Sequence, residues 1–566
     1  MKVPTKSMRK SDITKNGRKV VFIMKEFKNY SISFSERSFE IFINGLKWFS
    51  LPVSSSIDTA EKQDTDIDAV NLTVEESDTS VKAVWKTCSN LWFEKVYTVT
   101  ADESGFYYGI NIKGSGTVSK IRYFTSPKKE VEYEAAGYLL PVATHKNRSD
   151  CTYNIFEDNE ISLGYFAPPP FVYPFFVEDE NGWFGLGLVS KPGEYNYDKF
   201  IYRNEFRLEL PLYNRTVVNG EWQAHGIWGG YGEDAFDVIS AYSEWHFTNG
   251  LCERHEPYEN SPLWWRGPIF CGWGEQQTLS SKTGVWAVDF AAQTEYEKMY
   301  ETLKAKRLKP SFIIIDAKWQ EDFGTSVVDK KKWPDLRAFT DKLHRDGIKV
   351  VLWIRSFNCE GLPNDECVKS LTNPIAFDPT NPKFVKRMTE NIRTLLSDRE
   401  GCFNCDGFKV DFINCIPEGE KIETFEKGVY GVELIKRWLE LVKTVSKQVK
   451  PDALMNVSCA HPYMASVSDE IRIHDYHSQQ RAACSVMGYR RDIANAVFNG
   501  IPIDCDCGGY LNHRDFERYM KYQPKIGIPD LYWLSATGDI LKDESDFDMI
   551  RNEWQAYKEN LKKYNH

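Results

Sequence analysis

Two charged residues stand inside one apolar run, Gly407-Phe408-Lys409-Val410-Asp411-Phe412. A β-strand alternates faces, so Lys409 and Asp411, two apart, share one. A lone buried carboxylate would take up a proton, whereas an ammonium beside it keeps it ionised. An ionised carboxylate in a cleft can attack the anomeric carbon of a sugar. That chemistry needs a second carboxyl, kept protonated so that it can give its proton to the leaving oxygen. Arg472-Ile473-His474-Asp475 offers one at Asp475, and Asp504 and Asp506 compete for the role. The plainer alternatives are a structural ion pair for Lys409 and Asp411, and a salt bridge or helix N-cap for any single acid.

Such groups need a rigid frame, and the second half of the chain supplies its rhythm. Eight short apolar runs read as strands: Ile269–Trp273, Phe312–Asp316, Lys349–Ile354, Gly407–Phe412, Ala453–Ser458, Glu470–His474, Ile501–Asp504 and Asp530–Leu534. Helical spacing falls between them, as at Glu295–Lys306, Leu336–Asp346, Lys383–Leu396, Val432–Lys447 and Gly488–Asn499, with a last helix over Asp546–Leu561. This pattern predicts an α/β fold, a (β/α)₈ TIM barrel. A doubly wound sheet is the rival, but no Gly-rich phosphate loop follows the first strand. In such barrels the active site gathers at the C-terminal strand ends. Those ends carry Trp273, Asp316, Trp353, Arg355, Lys409, Asp411, Arg472, His474, Asp475, Asp504 and Asp506. Carboxylates, cations and Trp together suit a polar, hydroxylated ligand.

The first half has a different rhythm. Ser31–Ser35, Phe39–Ile43, Val81–Thr87, Phe93–Thr100, Phe106–Lys113, Trp183–Val189 and Phe206–Leu210 read as strands, with Asn44-Gly45 as a hairpin turn. A large antiparallel β-sandwich is expected over 25–247, ending in a helix near Glu233–Phe247. Residues 248–268, with Gly250, Pro257, Pro262 and Pro268, read as a linker, and 269–566 as the barrel. Residues 1–24 read as a basic, poorly ordered extension.

The chain has 566 residues, too many for one core, and a net charge of −10. That charge argues against a nucleic-acid or anionic-membrane partner, since both need a basic face. The apolar run after the basic start, Val20–Met24, is short for a secretory core, and no stretch is long enough to span a membrane. Thirteen Cys, an odd number, point to reduced thiols and a cytoplasmic location. The expected partner is a glycoside or oligosaccharide; homo-oligomerisation stays open.

At these residues the sequence resembles the melibiase-like α-galactosidases of glycoside hydrolase family 36, in clan D. Phe408-Lys409-Val410-Asp411-Phe412, with Pro417-Glu418-Gly419 after it, is similar to that family's nucleophile strand. Gly347–Trp353 resembles its third strand, Phe377-Asp378-Pro379-Thr380-Asn381-Pro382 the approach to the helix before strand four, and Cys459 with Arg472–Asp475 its acid/base region. The resemblance implies a retaining α-galactosidase with Asp411 as nucleophile and Asp475 as acid/base. It also implies sugar-binding roles for Asp316, Trp353, Lys409, Cys459 and Arg472. Asp316 is followed by Ala317, where the family usually has a second Asp. Relatives that transfer the sugar to another sugar would use the same intermediate.

Two readings compete from other classes. Cys402-x-x-Cys405, Cys505-x-Cys507, His474 and His477 invite a zinc site. The first strand carries no His, however, and Cys402 precedes strand four, away from the mouth. No metal and no cofactor are therefore expected. A sugar-binding protein on a decayed barrel is the other rival, and the presence of both carboxylates with Lys409 speaks against decay.

Overall fold

The computed structural model describes residues 11–15, 18–67, 71–125, 134–135, 160–162, 166–176, 182–203, 207–473, 482–506, 508–535 and 540–563. The chain divides into two compact units. The first comprises 1–146, 153–162 and 170–251, and the second comprises 147–152, 163–169 and 252–566. The division falls at the start of the expected linker, but it is not contiguous, because 163–169 groups with the barrel. Near the start, Ser11–Lys15 and Arg18–Glu26 pair as antiparallel strands, inside and beyond the stretch read as a poorly ordered extension.

In the first unit the antiparallel strands form a six-stranded and a ten-stranded sheet. Asn44 and Gly45 both take positive φ, 52° and 79°, as a two-residue hairpin turn between Ser38–Ile43 and Leu46–Pro52 requires. Val81–Thr87 alternates buried and exposed positions, so one face is turned to the core. Aromatic rings from the two sheets meet there: Phe39 lies 5.4 Å from Phe106, and Phe49 5.6 Å from Phe184. Trp85 Nε1 donates to the Ser35 carbonyl at 3.0 Å, satisfying its one polar atom. The helix Ala235–Thr248 closes this unit, capped by the Asp234 carboxylate.

The second unit is the barrel. Its strands are β1 Ile269–Cys271, β2 Phe312–Ile315, β3 Lys349–Arg355, β4 Gly407–Asp411, β5 Leu454–Val457, β6 Glu470–Arg472, β7 Ile503–Asp504 and β8 Asp530–Leu531. They pair in parallel in the order β7-β6-β5-β4-β3-β2-β1-β8. A parallel bridge from Asp504 to Ile528 joins β7 to the approach to β8 and completes the ring. All eight expected strands are present; β3 runs one residue further than the sequence suggested, to Arg355, and the other seven are shorter. Gly407 opens β4 at φ 154°, where a Cβ would lie 2.4 Å from the Leu454 carbonyl oxygen, so the β4–β5 approach requires glycine there.

The intervening helices turn apolar stripes inward, as Leu336, Phe339 and Leu343 do on Leu336–Arg345. Asn381 caps Pro382–Leu396, with proline at its first turn. Two helices escaped the sequence reading. Trp273–Thr283 begins where β1 was expected to continue, so Trp273 is a half-buried helix residue and not a strand end. His513–Ile526 is mostly polar and contains Pro524, which weakens its periodic signal. After β3 and β4 the chain adds a three-stranded sheet, Cys367–Ser370, Asn373–Phe377 and Ile422–Glu423. This sheet ties together the loops at the C-terminal ends of those two strands.

Candidate active site

Asp411 ends β4, and its carboxylate is gripped from three sides. Trp353 Nε1, from β3, donates to Oδ2 at 2.9 Å, and Arg472 Nη2, from β6, donates to Oδ1 at 2.6 Å. The Phe412 backbone N–H closes on Oδ1 at 2.8 Å. Phe412 itself takes φ 54°, the left-handed region that a bulky residue seldom adopts. The Asp411 side chain stays 14% exposed, enough to meet a ligand in the mouth.

The cation beside Asp411 is Arg472, which corrects the expected Lys409–Asp411 pair. Lys409 does point into the barrel, but its Nζ reaches across it, to Tyr532 Oη at 3.0 Å, Asp316 Oδ2 at 3.4 Å and Cys271 Sγ at 3.5 Å. Asp506 Oδ1 stands 3.7 Å away. Inward residues two apart on a strand lie in successive layers, so each meets other strands before it meets its neighbour. Burial works to strip the proton from Lys409, but the nearby acids Asp506 and Asp316 offset it and hold the ammonium well above its usual range. Burial pushes the Cys271 thiol well up, so it remains S–H and donates to Asp316 Oδ2 at 3.2 Å. Asp316, 3% exposed, is pushed up by burial while Lys409 pulls it back.

Arg472 is fully buried and divides its guanidinium between two acids, with Nη1 2.5 Å from Asp506 Oδ2. Asp506 thus lies between Arg472 and Lys409. Asp504 sits elsewhere: fully buried in β7, it accepts from Asn456 Nδ2 at 2.8 Å, and burial raises it. Arg355 ends β3, with its guanidinium 4.4 Å above the Phe412 ring and 5.2 Å from Phe323. Cys459 is fully buried, with Sγ donating to the Ala167 carbonyl at 3.0 Å. Ala167 N–H donates to the Ser458 carbonyl and Ala460 N–H to that of Pro168, so the segment around 167 is laced to the chain leaving β5. Nothing in the sequence around Ala167 signalled that attachment. Asp475 and His474 lie outside the described residues, as do Cys507 and His477 of the zinc reading.

The sequence assigned no role to Tyr532 or to Glu275, which stands at the expected end of the first strand. Tyr532 follows β8, a strand end that lacks the charge by which the others were found. Glu275, in the helix after β1, accepts from Leu534 N–H at 2.5 Å and from Ser535 N–H and Oγ at 2.7 Å each, clamping the segments that follow β1 and β8 to each other. Elsewhere, His513, Glu517 and Asp546 form the one group among the described residues that could hold a metal ion, and it includes none of the barrel-mouth residues. The eleven described cysteines are all free. No helix among the described residues is long and apolar enough to cross a membrane.

A carboxylate held ready at the mouth of a charge-lined barrel is equipped for attack at a sugar carbon. In a comparison with family models, residues 278–492 match the TIM-barrel domain of glycosyl hydrolases family 31. The match is to family 31, not family 36. The barrel is that of a glycosidase, and the resemblance to family 36 is corrected. A strand ending in a carboxylate is demanded by the chemistry itself, so a short motif around it identifies the reaction class before it identifies the family.

Solved structures agree on the fold. A family 31 sulfoquinovosidase from E. rectale aligns with a TM-score of 0.55 at 12% identity, over 93% of this chain and 82% of its own. A family 31 α-xylosidase from a soil metagenome aligns at 0.51 and 12%, over 99% and 85%. A cycloalternan-degrading enzyme from Trueperella pyogenes aligns at 0.51 and 12%, over 94% and 83%. A comparison with curated proteins finds no match.

Proposed function

We propose that this protein is a retaining α-glycosidase working by double displacement, with Asp411 as nucleophile and Asp475 as general acid and base. The observation that carries this is the Asp411 carboxylate, fixed by Trp353, Arg472 and Phe412 N–H yet open to the mouth of a barrel similar to that of family 31. Three donors fix its direction of attack. In the first step Asp411 bonds to the anomeric carbon while Asp475 gives its proton to the departing oxygen. In the second, Asp475 takes a proton from water, which attacks the same carbon and releases Asp411. Asp506 is poorly suited to the acid role, because it is buried and its carboxyl is already engaged by Arg472, with Lys409 3.7 Å away. Asp504 is turned to Asn456 and sealed from the mouth. Asp316, Lys409, Asp506 and Tyr532 form a floor of donors and acceptors for sugar hydroxyls.

The α-galactoside reading rested on family 36, and a single carboxylate at Asp316 does not restore it. An α-linked glucose- or xylose-type glycoside takes first place, in keeping with the α-xylosidase among the similar structures. The test is a panel of aryl α- and β-glycosides of glucose, xylose and galactose, with the product anomer resolved by NMR. Cleavage of α-glycosides with retention is expected, and a fluorosugar trap should label Asp411. Cleavage of β-glycosides alone, inversion, or a label on another carboxylate would overturn the proposal. Turnover of α-galactosides alone would return the substrate to the reading made from the sequence.

A further inference from the structure

A second pocket, of about 370 Å³, lies in the first unit and contains none of the barrel residues. It is built, not accidental. Trp245, on the helix Ala235–Thr248, lies over Tyr107 with ring centroids 5.7 Å apart and planes 17° from parallel. Position 226 is glycine where the Tyr107 ring passes: a Cβ there would come within 2.4 Å of the ring carbon Cε2. Beneath, Ser190 Oγ and His225 Nδ1 are 2.8 Å apart, and burial lowers His225 to about 4, so that wall is polar and uncharged. Burial and the nearby Glu194 push Tyr107 up to about 12, so its hydroxyl keeps its proton.

Among the described residues, Tyr107 Oη, Trp245 Nε1, the Lys191 ammonium and the Glu194 carboxylate have no hydrogen-bond partner. Gln223 spends its Nε2 on the Ile110 carbonyl at 3.0 Å and keeps its carbonyl oxygen for the pocket. The wall therefore mixes donors and acceptors around an aromatic pair. Lys191 is opposed by Glu194 and Asp102, which speaks against an anion, and the polar rim speaks against a lipid tail. A pyranose presents an apolar C–H face to an aromatic ring and hydroxyls, each donor and acceptor at once, to its surroundings. The volume lies within the roughly 300–1,000 Å³ range of small-molecule pockets.

We propose that this pocket is an accessory saccharide-binding site, with Trp245 as its platform and Tyr107, Glu194 and Gln223 as partners for sugar hydroxyls. The choice of a saccharide over other polyols rests on the glycosidase reading of the barrel. The site implies a substrate longer than one sugar, held at a point remote in sequence from the chemistry.

The test uses the full-length Asp411→Asn protein titrated calorimetrically with maltotriose and with isomaltotriose. Two binding events are expected with at least one of them. Adding Trp245→Ala should weaken one event about tenfold or more, as loss of an aromatic anchor does, and leave the other. Trp245→Phe should preserve both, and Glu194→Gln, an exposed change that spares the core, should weaken the same event as Trp245→Ala. A single event that Trp245→Ala and Glu194→Gln leave untouched, two events that both variants leave untouched, or no binding of either sugar, overturns the site. Aryl glycoside cleavage by the Trp245→Ala protein, expected at the wild-type rate, reads the barrel separately. Loss of that activity in the wild type with Trp245-dependent binding intact would sink the catalytic reading and leave the pocket standing.

Discussion

Arg472 Nη2 lies 2.6 Å from Asp411 Oδ1, and the same guanidinium holds Asp506 through Nη1. One buried cation therefore orients the carboxylate proposed as nucleophile and fixes a second acid beside it. Both contacts are charge-assisted, and the rigid fork of arginine sets their directions together.

Replacing Arg472 by Met should strand two carboxylates and cost about 3–5 kcal/mol of stability. In the protein that still folds, kcat should fall by at least about 10²-fold, with a smaller change in KM, because aim is lost more than affinity. Arg472→Lys should recover stability better than rate, since lysine is a point charge and not a fork. Steady-state kinetics on an aryl glycoside and thermal melting separate the two effects. Equal recovery of both by lysine would reduce Arg472 to a structural role.

Asp411→Asn should lower the rate by roughly 10³-fold or more, about 4 kcal/mol of barrier, without loss of fold. Asp475→Ala should instead act selectively. Substrates with poor leaving groups need the proton and should slow severely, whereas those with good leaving groups should keep a fast first step. A plot of rate against leaving-group acidity checks this. A uniform loss across the series would move the acid role away from Asp475.

Glu275→Ala should loosen the β1–β8 side of the barrel, where its carboxylate receives Leu534 N–H, Ser535 N–H and the Ser535 hydroxyl. Unpairing such buried donors costs about 1–3 kcal/mol each where water cannot enter, so a clear drop in Tm is expected. Hydrogen exchange should rise first around 534–535. Protection there that matches the wild type would remove the clamp from the account.

Stability of the first unit should fall with acid. Burial lowers both His225 and His246 from 6.5 to about 4 in the folded protein. Between those values the unfolded chain binds the protons that the folded one refuses, so stability decreases as pH drops from 6.5 toward 4. Each histidine contributes up to about 3 kcal/mol to that slope. Denaturant unfolding of His225→Gln and His246→Gln at pH 7.5 and 5 should show a flatter dependence than the wild type. An unchanged slope in both variants would contradict the burial argument.

The eight strands and Asp411 were legible in the sequence because parallel strands are buried on both faces and read as apolar runs. Charges inside such a run, as at Lys409 and Asp411, stand out for that reason, and so did the glycosidase chemistry they imply. The hairpin at Asn44-Gly45 was legible because its backbone needs positive φ at both residues. The partners of those charges were not legible. Spacing along a strand says that Lys409 and Asp411 share a face, but closure of the barrel brings Arg472 to Asp411 and sends Lys409 to Asp316, Asp506 and Tyr532. A short motif did not separate one family from another either, because any enzyme attacking at a strand end needs a similar strand, and it is over 278–492 that the chain matches the family 31 model and not family 36. Sequence by itself determined which residues could do the chemistry, since periodicity and residue type are local. Which cation serves which carboxylate, that Ala167 meets Cys459, and that Glu275 meets Ser535 were decided by the tertiary structure alone. Those contacts join residues far apart in the chain, and only the folded second unit brings them within reach.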